Sequence, residues 1–264
     1  MDYLGYNRIL IERNGSVLTA TLNRPETRNA IEPELDLELS RLFLEVDQDP
    51  DVNVIVLTGA GKAFSAGGDI PAMLKGIDDI GVFETGYKNG KRILQSMLDC
   101  EKPIIARVNG DAIGLGATLA LFCDIVIADR TARIADPHVK VGLVAGDGGA
   151  VIWPQLVGYA RTKQYLLTGD LMTAEEAERI GLIAIAVAAE DLDSTVSAWV
   201  QKLDTGAQKA IRYTKALINI GLKQQLASMV DAGFALETIS SRSGEHAEAV
   251  SAFVGKRKPN FTGK

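Results

Sequence analysis

Two glycine-containing stretches decide the fold: Lys62-Ala63-Phe64-Ser65-Ala66-Gly67-Gly68-Asp69-Ile70 and Asn109-Gly110-Asp111-Ala112-Ile113-Gly114-Leu115-Gly116. Each follows a short β-branched run, Val52 to Thr58 before the first and Ile104 to Val108 before the second, and precedes a helical pattern. Glycines after a strand let backbone N–H groups approach a ligand, and the start of the next helix adds a favourable dipole. Glycines also serve tight turns and close packing alone. The pattern predicts a repeated strand-loop-helix unit.

Periodicity predicts the elements on either side of these stretches. Arg8 to Glu12 and Ser16 to Leu22 alternate around Asn14-Gly15, which indicates a β-hairpin. Apolar residues from Leu35 to Val46 recur at helical spacing behind Glu32-Pro33. Further patterns indicate strands at Ile125 to Ala128 and Ile183 to Val187, and helices at Leu192 to Leu203, Ala207 to Ile220 and Gln224 to Ser240. We therefore assign α/β to residues 1–190 and all-α to residues 191–264.

Composition and charge exclude several classes of function. The chain has 264 residues, of which 47% are hydrophobic and 23% charged, and this balance is typical of one well-packed domain. A net charge of -6 argues against nucleic acid as a partner. Cys100 and Cys123 lack the spacing of a disulfide framework, and no grouping has metal-ligand spacing, so we predict no metal.

We expect a cytoplasmic protein without a membrane partner. Met1 to Arg8 shows no apolar stretch behind a basic start. The most apolar run, Ile113 to Ala128, is interrupted by Asp124 and is shorter than a membrane span.

Four motifs in this order resemble the crotonase (enoyl-CoA hydratase/isomerase) superfamily. They are Leu22-Asn23-Arg24-Pro25 with Arg28-Asn29-Ala30, the two glycine stretches, and Ala252-Phe253 with Lys256-Arg257-Lys258-Pro259. The resemblance implies a crotonase-like ββα spiral core over residues 1–190 and a helical trimerisation region over residues 191–264. It also implies an acyl-CoA thioester as substrate, a homotrimer or dimer of trimers, and no cofactor apart from the coenzyme A of the substrate.

The same resemblance assigns an oxyanion hole. In similar enzymes one backbone N–H from each glycine loop binds the thioester oxygen and stabilises enolate-like charge, and the matching positions are Gly68 and Leu115. Relatives usually carry glycine at the second position. Leucine still supplies the N–H, but its side chain has to leave room for the thioester.

Coenzyme A binding is likewise implied by resemblance. The matching positions are Arg28, Ser65, Ala66, Asp69 and Ile70, with Phe253 and Lys256 reaching over from the C-terminal region, sometimes of a neighbouring subunit. Lys256 is suited to pair with a phosphate. The alternative is that the basic residues 256–258 form a solvated tail.

The catalytic positions depart from the hydratase pattern, because Thr118 and His138 stand where relatives carry two glutamates. A hydroxyl is not a general base near neutral pH, so Thr118 either orients water or substrate or packs in the core. Imidazole titrates near pH 6.5, which makes His138 the leading acid/base candidate, although a lone histidine is commonly structural.

Asp147 lies in the glycine-rich stretch Gly142 to Gly149 and has two interpretations. Its carboxylate can orient His138, or it can cap the helix that runs through Ala150 to Trp153. A His/Asp pair in this context resembles the β-diketone hydrolases of the 6-oxocamphor hydrolase type, which cleave a carbon-carbon bond by a retro-Claisen reaction.

Three functions stay open. The first is a hydratase-like acyl-CoA lyase, the second a carbon-carbon bond hydrolase of a β-diketone or β-oxoacyl-CoA, and the third a non-catalytic assembly or RNA-binding relative, which the acidic charge disfavours. Contact of His138 with Asp147 favours the hydrolase, and a C-terminal carboxylate facing the pocket favours the hydratase. Such carboxylates are Glu237, Glu245 and Glu248, whereas His246 is expected on an exposed helix without a catalytic role.

Overall fold

The computed structural model describes residues 3–76 and 80–263 of the chain. The strands are β1 Ile9–Asn14, β2 Val17–Leu22, β3 Val54–Gly59, β4 Ala63–Ser65, β5 Ile104–Val108, β6 Asp111–Ile113, β7 Ile125–Asp129, β8 Arg133–Ala135, β9 Met172–Thr173 and β10 Ile185–Val187. The helices are α1 Pro33–Asp47, α2 Ile70–Gly76, α3 Ile80–Asp99, α4 Leu115–Leu121, α5 Gly149–Leu166, α6 Ala174–Arg179, α7 Leu192–Asp204, α8 Gln208–Ser241 and α9 Gly244–Val254.

Two sheets are built by one repeating unit. The larger sheet has the order β1-β2-β3-β5-β7-β10, and the smaller has the order β4-β6-β8-β9. β3, β5 and β7 lie parallel and adjacent in the first sheet, while β4, β6 and β8 do so in the second. Each unit therefore adds one strand to each sheet before its helix begins, and the predicted ββα spiral is confirmed.

The predicted hairpin and first helix are also confirmed. β1 and β2 pair antiparallel with Asn14 opposite Val17, and Gly15 takes the positive φ of 62° that this turn requires. Helix α1 begins after Glu32, whose carboxylate accepts hydrogen bonds from the backbone N–H groups of Glu34 and Leu35.

The core lies on both faces of the larger sheet. One cluster packs α1, α3 and α5 against the sheet, and Phe43, Phe64 and Trp153 are among its fully buried side chains. A second cluster joins strand residues such as Val54 and Ile127 to residues of α7. Leu226, Val230 and Phe234 of α8 pack into the first cluster, so the C-terminal helices complete the core of the spiral.

The prediction of two helices at residues 207–220 and 224–240 is wrong, because α8 is one helix of 34 residues. Gly221 made a break plausible, since glycine costs about 1 kcal/mol in a helix interior. The neighbours of Gly221 keep the helix continuous, because Asn219 is buried and Leu222 packs against the main core. This packing outweighs the cost of the glycine. Within residues 3–76 and 80–263, no helix is both long and apolar enough to cross a membrane.

Candidate active site

The two glycine loops touch each other. Gly67 has a positive φ of 84°, and a Cβ at this position would lie 2.5 Å from the carbonyl oxygen of Ile113. A Cβ at Gly114, which also has a positive φ, would lie 3.7 Å from Cε1 of His138. Only glycine allows the backbones to approach this closely. The loops and His138 therefore meet at one place, beside a cavity of about 540 Å³ that Gly68, Leu115 and His138 line together.

Two backbone N–H groups are left for a ligand at this contact. Leu115 is the first residue of α4, so its N–H has no acceptor within that helix. The backbone N–H groups on either side of Gly68 already have acceptors within the chain. Gly67 donates to Oγ of Ser65, and Asp69 donates to the carbonyl oxygen of Ile31. In the part of the chain that the structure describes, no acceptor is assigned to either Gly68 or Leu115. The side chain of Leu115 packs against the main core, which accommodates its bulk.

His138 lies between two carboxylates. It begins a short 3-10 turn, His138–Val141, after β8, and is 8% exposed. Its Nδ1 makes a short contact with Oδ1 of Asp136, while its Nε2 lies 3.3 Å from Oδ2 of Asp147. Thr118 donates its hydroxyl to Oδ1 of Asp147 at 3.4 Å. The structure thus brings the three candidate residues Thr118, His138 and Asp147 together, and adds Asp136, a carboxylate that no sequence motif indicated.

The carboxylates fix the charge of His138. Burial of the ring opposes protonation, but the charges of Asp147 and Asp136 outweigh it, so the pKa of His138 is raised well above 6.5. Burial also opposes ionisation of Asp147, yet the His138 ring and the hydrogen bonds to the carboxylate lower its pKa. At neutral pH the three groups form an imidazolium between two carboxylates.

The carboxylate of Asp147 has contacts that agree with both of its interpretations. Gly148, the residue before α5, has no side chain to cap that helix, but Asp147 accepts a hydrogen bond from the backbone N–H of Gly149, the first residue of α5. The same carboxylate faces His138 and Thr118. Asp147 is therefore placed to orient His138 while it also satisfies the start of α5.

A glutamate from α8 completes the group. Glu237 lines the same cavity, and its Oε2 is buried without a hydrogen-bond partner among the described residues. Burial, reinforced by the charge of Asp147, raises the pKa of Glu237 to about 8. Of the other two candidates, Glu248 binds Arg257 at 2.8 Å and Glu245 accepts from the N–H of Gly263, and neither lines the cavity.

Close backbone contact positions Glu237. A Cβ on Gly146 would lie 2.2 Å from the carbonyl oxygen of Gly233, one turn before Glu237 on α8. The N–H of Val144 donates to Oγ of Ser240 at 3.1 Å. The glycine-rich loop that holds Asp147 therefore fixes α8 as well, so both carboxyl groups keep their places relative to each other.

The expectation of an exposed His246 is wrong. This side chain is fully buried in α9, and its Nδ1 donates to the carbonyl oxygen of Val141 at 2.7 Å. Gly142 allows the contact, since a Cβ there would lie 2.7 Å from the backbone nitrogen of His246. His246 thus packs against the end of the turn that begins at His138, a distant contact that the charged neighbours in sequence did not indicate.

The predicted coenzyme A positions fall into two groups. Ser65 is buried and donates to the carbonyl of Asn29, and Asp69 is buried in an ion pair with Arg24 at 3.0 Å while capping α2. Arg28 is exposed with a positive φ, while Ala66 and Ile70 are half-buried near these residues.

Phe253 and Lys256 form the second group. Both are exposed, and neither lines the cavity described within this chain. Coenzyme A binding by any of the seven positions remains a prediction, and for these two it requires a contribution across subunits or a movement of the tail.

The arrangement of Asp136, His138 and Asp147 does not favour binding of a metal cation. Asp136, His138 and Asp147 offer ligand atoms within 4.8 Å of one another, a grouping that their sequence spacing did not reveal. The two carboxylates face opposite ring nitrogens, however, and one imidazole does not direct both nitrogens at a single ion. This arrangement is that of an ion-paired histidine.

Paired sheets of ββα units, with two N–H donors over one cavity, define a crotonase fold. The structure of an enoyl-CoA hydratase/isomerase from Mycobacterium paratuberculosis superposes with a TM-score of 0.91 at 34% identity, covering 94% of this chain and 99% of that one. The sequence profile of the enoyl-CoA hydratase/isomerase family matches residues 12–264. The chain belongs to this family.

Two relatives align over almost their full length. Crotonyl-CoA hydratase of Syntrophomonas wolfei is 34% identical, covering 99% of this chain and 100% of the relative. The 1,2-epoxyphenylacetyl-CoA isomerase of Escherichia coli is also 34% identical, with 97% and 98% covered. Relatives of equal similarity thus carry different activities, so the reaction has to be argued from the site.

Proposed function

We propose that the chain hydrates an enoyl-CoA thioester, with the N–H groups of Gly68 and Leu115 binding the enolate oxygen and Glu237 supplying the proton. The observation that carries this proposal is the buried, unpartnered carboxyl of Glu237 in the cavity that both N–H donors line. It supplies, from a different helix, a carboxyl group that the family positions Thr118 and His138 do not provide.

The pKa shifts of Glu237 and Asp147 support a division of the two proton-transfer roles. With a pKa of about 8, Glu237 carries a proton at neutral pH and is suited to a general acid. Asp147 is ionised, lines the cavity and is held by Thr118 and His138. As the oxygen of water bonds to the β-carbon, Asp147 takes its proton and the thioester becomes an enolate. Glu237 then protonates the α-carbon, and exchange with solvent restores both carboxyl groups.

A carbon-carbon bond hydrolase is the second candidate, favoured by the contact of His138 with Asp147. In that reaction the histidine has to take a proton from the attacking water. Protonated His138 has no free ring nitrogen for this, since both face carboxylates. Hydrolysis would therefore require His138 to lose its proton first and would increase with pH, whereas hydration proceeds from the protonation states present at pH 7.

The test is hydration of crotonyl-CoA, followed by loss of the conjugated thioester, in wild type and Glu237→Gln. We expect kcat to fall about 100-fold to 10,000-fold, because a positioned acid typically contributes that much, with little change in binding of a saturated acyl-CoA. Glu245→Gln is the matched control on the neighbouring helix and should behave as wild type. Wild-type kcat in Glu237→Gln would exclude Glu237 as the acid.

His138→Ala separates the two candidate reactions. If wild type binds acyl-CoA but does not hydrate crotonyl-CoA, the next substrates are a β-diketone and a cyclic β-oxoacyl-CoA. Hydrolysis that rises with pH and is abolished in His138→Ala would establish the second candidate in place of the first.

We also infer a homotrimer or dimer of trimers, located in the cytoplasm. Supporting the assembly, α8 exposes Leu217 and Ile218, and α9 exposes Phe253, which are large apolar side chains for a monomer surface. Analytical ultracentrifugation measures the assembly directly, and a monomer at micromolar concentration would contradict this inference.

A further inference from the structure

A polar pair lies in the cavity wall away from the proton-transfer groups. Asn89 of α3 donates its Nδ2 to Oδ2 of Asp36 in α1 at 2.8 Å, and both residues line the cavity. Asn89 is only 4% exposed. Much of the surrounding wall is apolar, with Ile31, Pro33 and Ala72 among its residues.

Helix capping does not account for this pair. Glu32 already caps α1, so Asp36 is not needed to satisfy the start of that helix. Elsewhere α1 and α3 place apolar residues such as Leu39 and Ile93 in the main core. Burial raises the pKa of Asp36 to about 7, so the carboxylate is held at a cost that a leucine would avoid. A costly polar group in a cavity wall indicates binding.

The pair is also separate from the catalytic group. The charged neighbour of Asp36 is Glu32, whereas the charged neighbours of Glu237 are Asp147, His138 and Asp136. Phe234, one turn before Glu237 on α8, also lines the cavity and contacts α3 beside Asn89. Its ring packs edge-on against Tyr87 at 5.2 Å, and a Cβ on Gly90 would lie 2.6 Å from its Cζ.

We propose that Asp36 and Asn89 bind a hydroxyl group on the acyl chain of the substrate, at a distance from the thioester. The inference rests on the proposed function, because it takes the thioester to lie at Gly68 and Leu115. Oδ1 of Asp36 has no donor among the described residues, and the second N–H of the Asn89 amide points to no described acceptor. A hydroxyl donates to the first and accepts from the second, whereas an alkyl chain does neither.

The test measures binding, which does not depend on the reaction. Calorimetry compares saturated straight-chain acyl-CoA esters of increasing length with the same esters carrying a terminal hydroxyl. We expect one hydroxylated length to bind wild type about 10-fold to 100-fold more tightly than its unsubstituted partner, as a hydrogen bond to a charged group contributes. In Asp36→Leu the preference should disappear or reverse, and Asp36→Asn, which keeps the shape and an acceptor oxygen, should retain part of it.

Each result has a distinct meaning. Equal binding of both ester series to wild type, or a preference that survives in Asp36→Leu, would overturn the inference while leaving the proposed function intact. Failure of every ester to bind wild type would overturn both. Should Asp36→Leu not fold, the comparison is made with Asn89→Ser, which shortens the donor and should also weaken the preference.

Discussion

Replacing Asp136 by asparagine tests the origin of the charge on His138. Asp136 is buried and contacts Nδ1 of the ring, while Asp147 faces Nε2. Asparagine keeps the size and one acceptor oxygen but removes the charge. We therefore expect the pKa of His138 to fall in Asp136→Asn while the ring keeps its position.

The size of the expected fall in the pKa of His138 follows from the contact between Asp136 and the ring. An opposite charge within hydrogen-bond distance shifts a pKa by about 1 to 3 units, and Asp147 still holds the other nitrogen. We expect a fall of about 1 to 2 units, which corresponds to about 1.4 to 3 kcal/mol at 1.36 kcal/mol per unit. The pKa is read from the imidazole resonances of His138 in a pH titration by NMR.

The sign of the stability change depends on pH. Because the folded pKa of His138 is raised above its unfolded value, the stabilisation is fully present below about pH 6.5 and is lost as pH rises through the folded pKa. The free energies of unfolding of wild type and Asp136→Asn in urea should thus differ most at or just below about pH 6.5 and converge at alkaline pH.

A surface carboxylate that pairs with Lys140 of the same turn provides the control. Asp170 lies 3.3 Å from Lys140 at the surface, and Asp170→Asn should change stability by less than about 1 kcal/mol. An unchanged pKa of His138 in Asp136→Asn, or a stability difference that grows with pH, would refute the ion-pair account.

Two further predictions concern the fold. Lys215→Met removes the buried cation that lies 2.7 Å from Asp124, whose side chain is 24% exposed. The free energy of unfolding in urea should therefore fall by about 2 kcal/mol, between the values for surface and buried pairs. Gly67→Ala should destabilise the chain by about 1 to 3 kcal/mol and reduce crotonyl-CoA turnover, since its Cβ would press on the carbonyl of Ile113. Gly15→Ala is the control, because Gly15 also has a positive φ but a Cβ there would meet no atom within 4 Å. It should destabilise the chain less than Gly67→Ala and leave turnover unchanged. Equal losses of stability in the two variants would show that backbone conformation alone matters.

Sequence patterns predicted the elements whose signals are local. The Asn14-Gly15 turn, the alternating strands and the paired glycine stretches each determine structure within a few residues, and the structure has them at the expected places. The contact of His138 with Asp147 was one of two interpretations that the sequence offered for Asp147, because both residues lie in one segment between β8 and α5.

Contacts between distant segments were not predictable in this way. Glu237 could be named as a candidate, but its selection over Glu245 and Glu248 depends on how α8 packs. That packing rests on the backbone contact of Gly146 with Gly233, which leaves no periodic signal in either segment. His246 was misplaced for the same reason, because its burial depends on Val141 and Gly142 rather than on its helix.

The charges of Asp136, His138 and Asp147 bear on the proton transfer that we propose for this site. Asp136, His138 and Asp147 together carry one net negative charge in a buried place, and Asp147 in particular disfavours a second anion beside it. Burial and the charge of Asp147 together keep the proton on Glu237 at neutral pH, as the proposed transfer to carbon requires. Removing the negative charge of Asp147 should lower the pKa of Glu237, so that a smaller fraction of Glu237 carries a proton at neutral pH. The protonation state of Glu237 thus depends on its burial first and on its charged neighbours second.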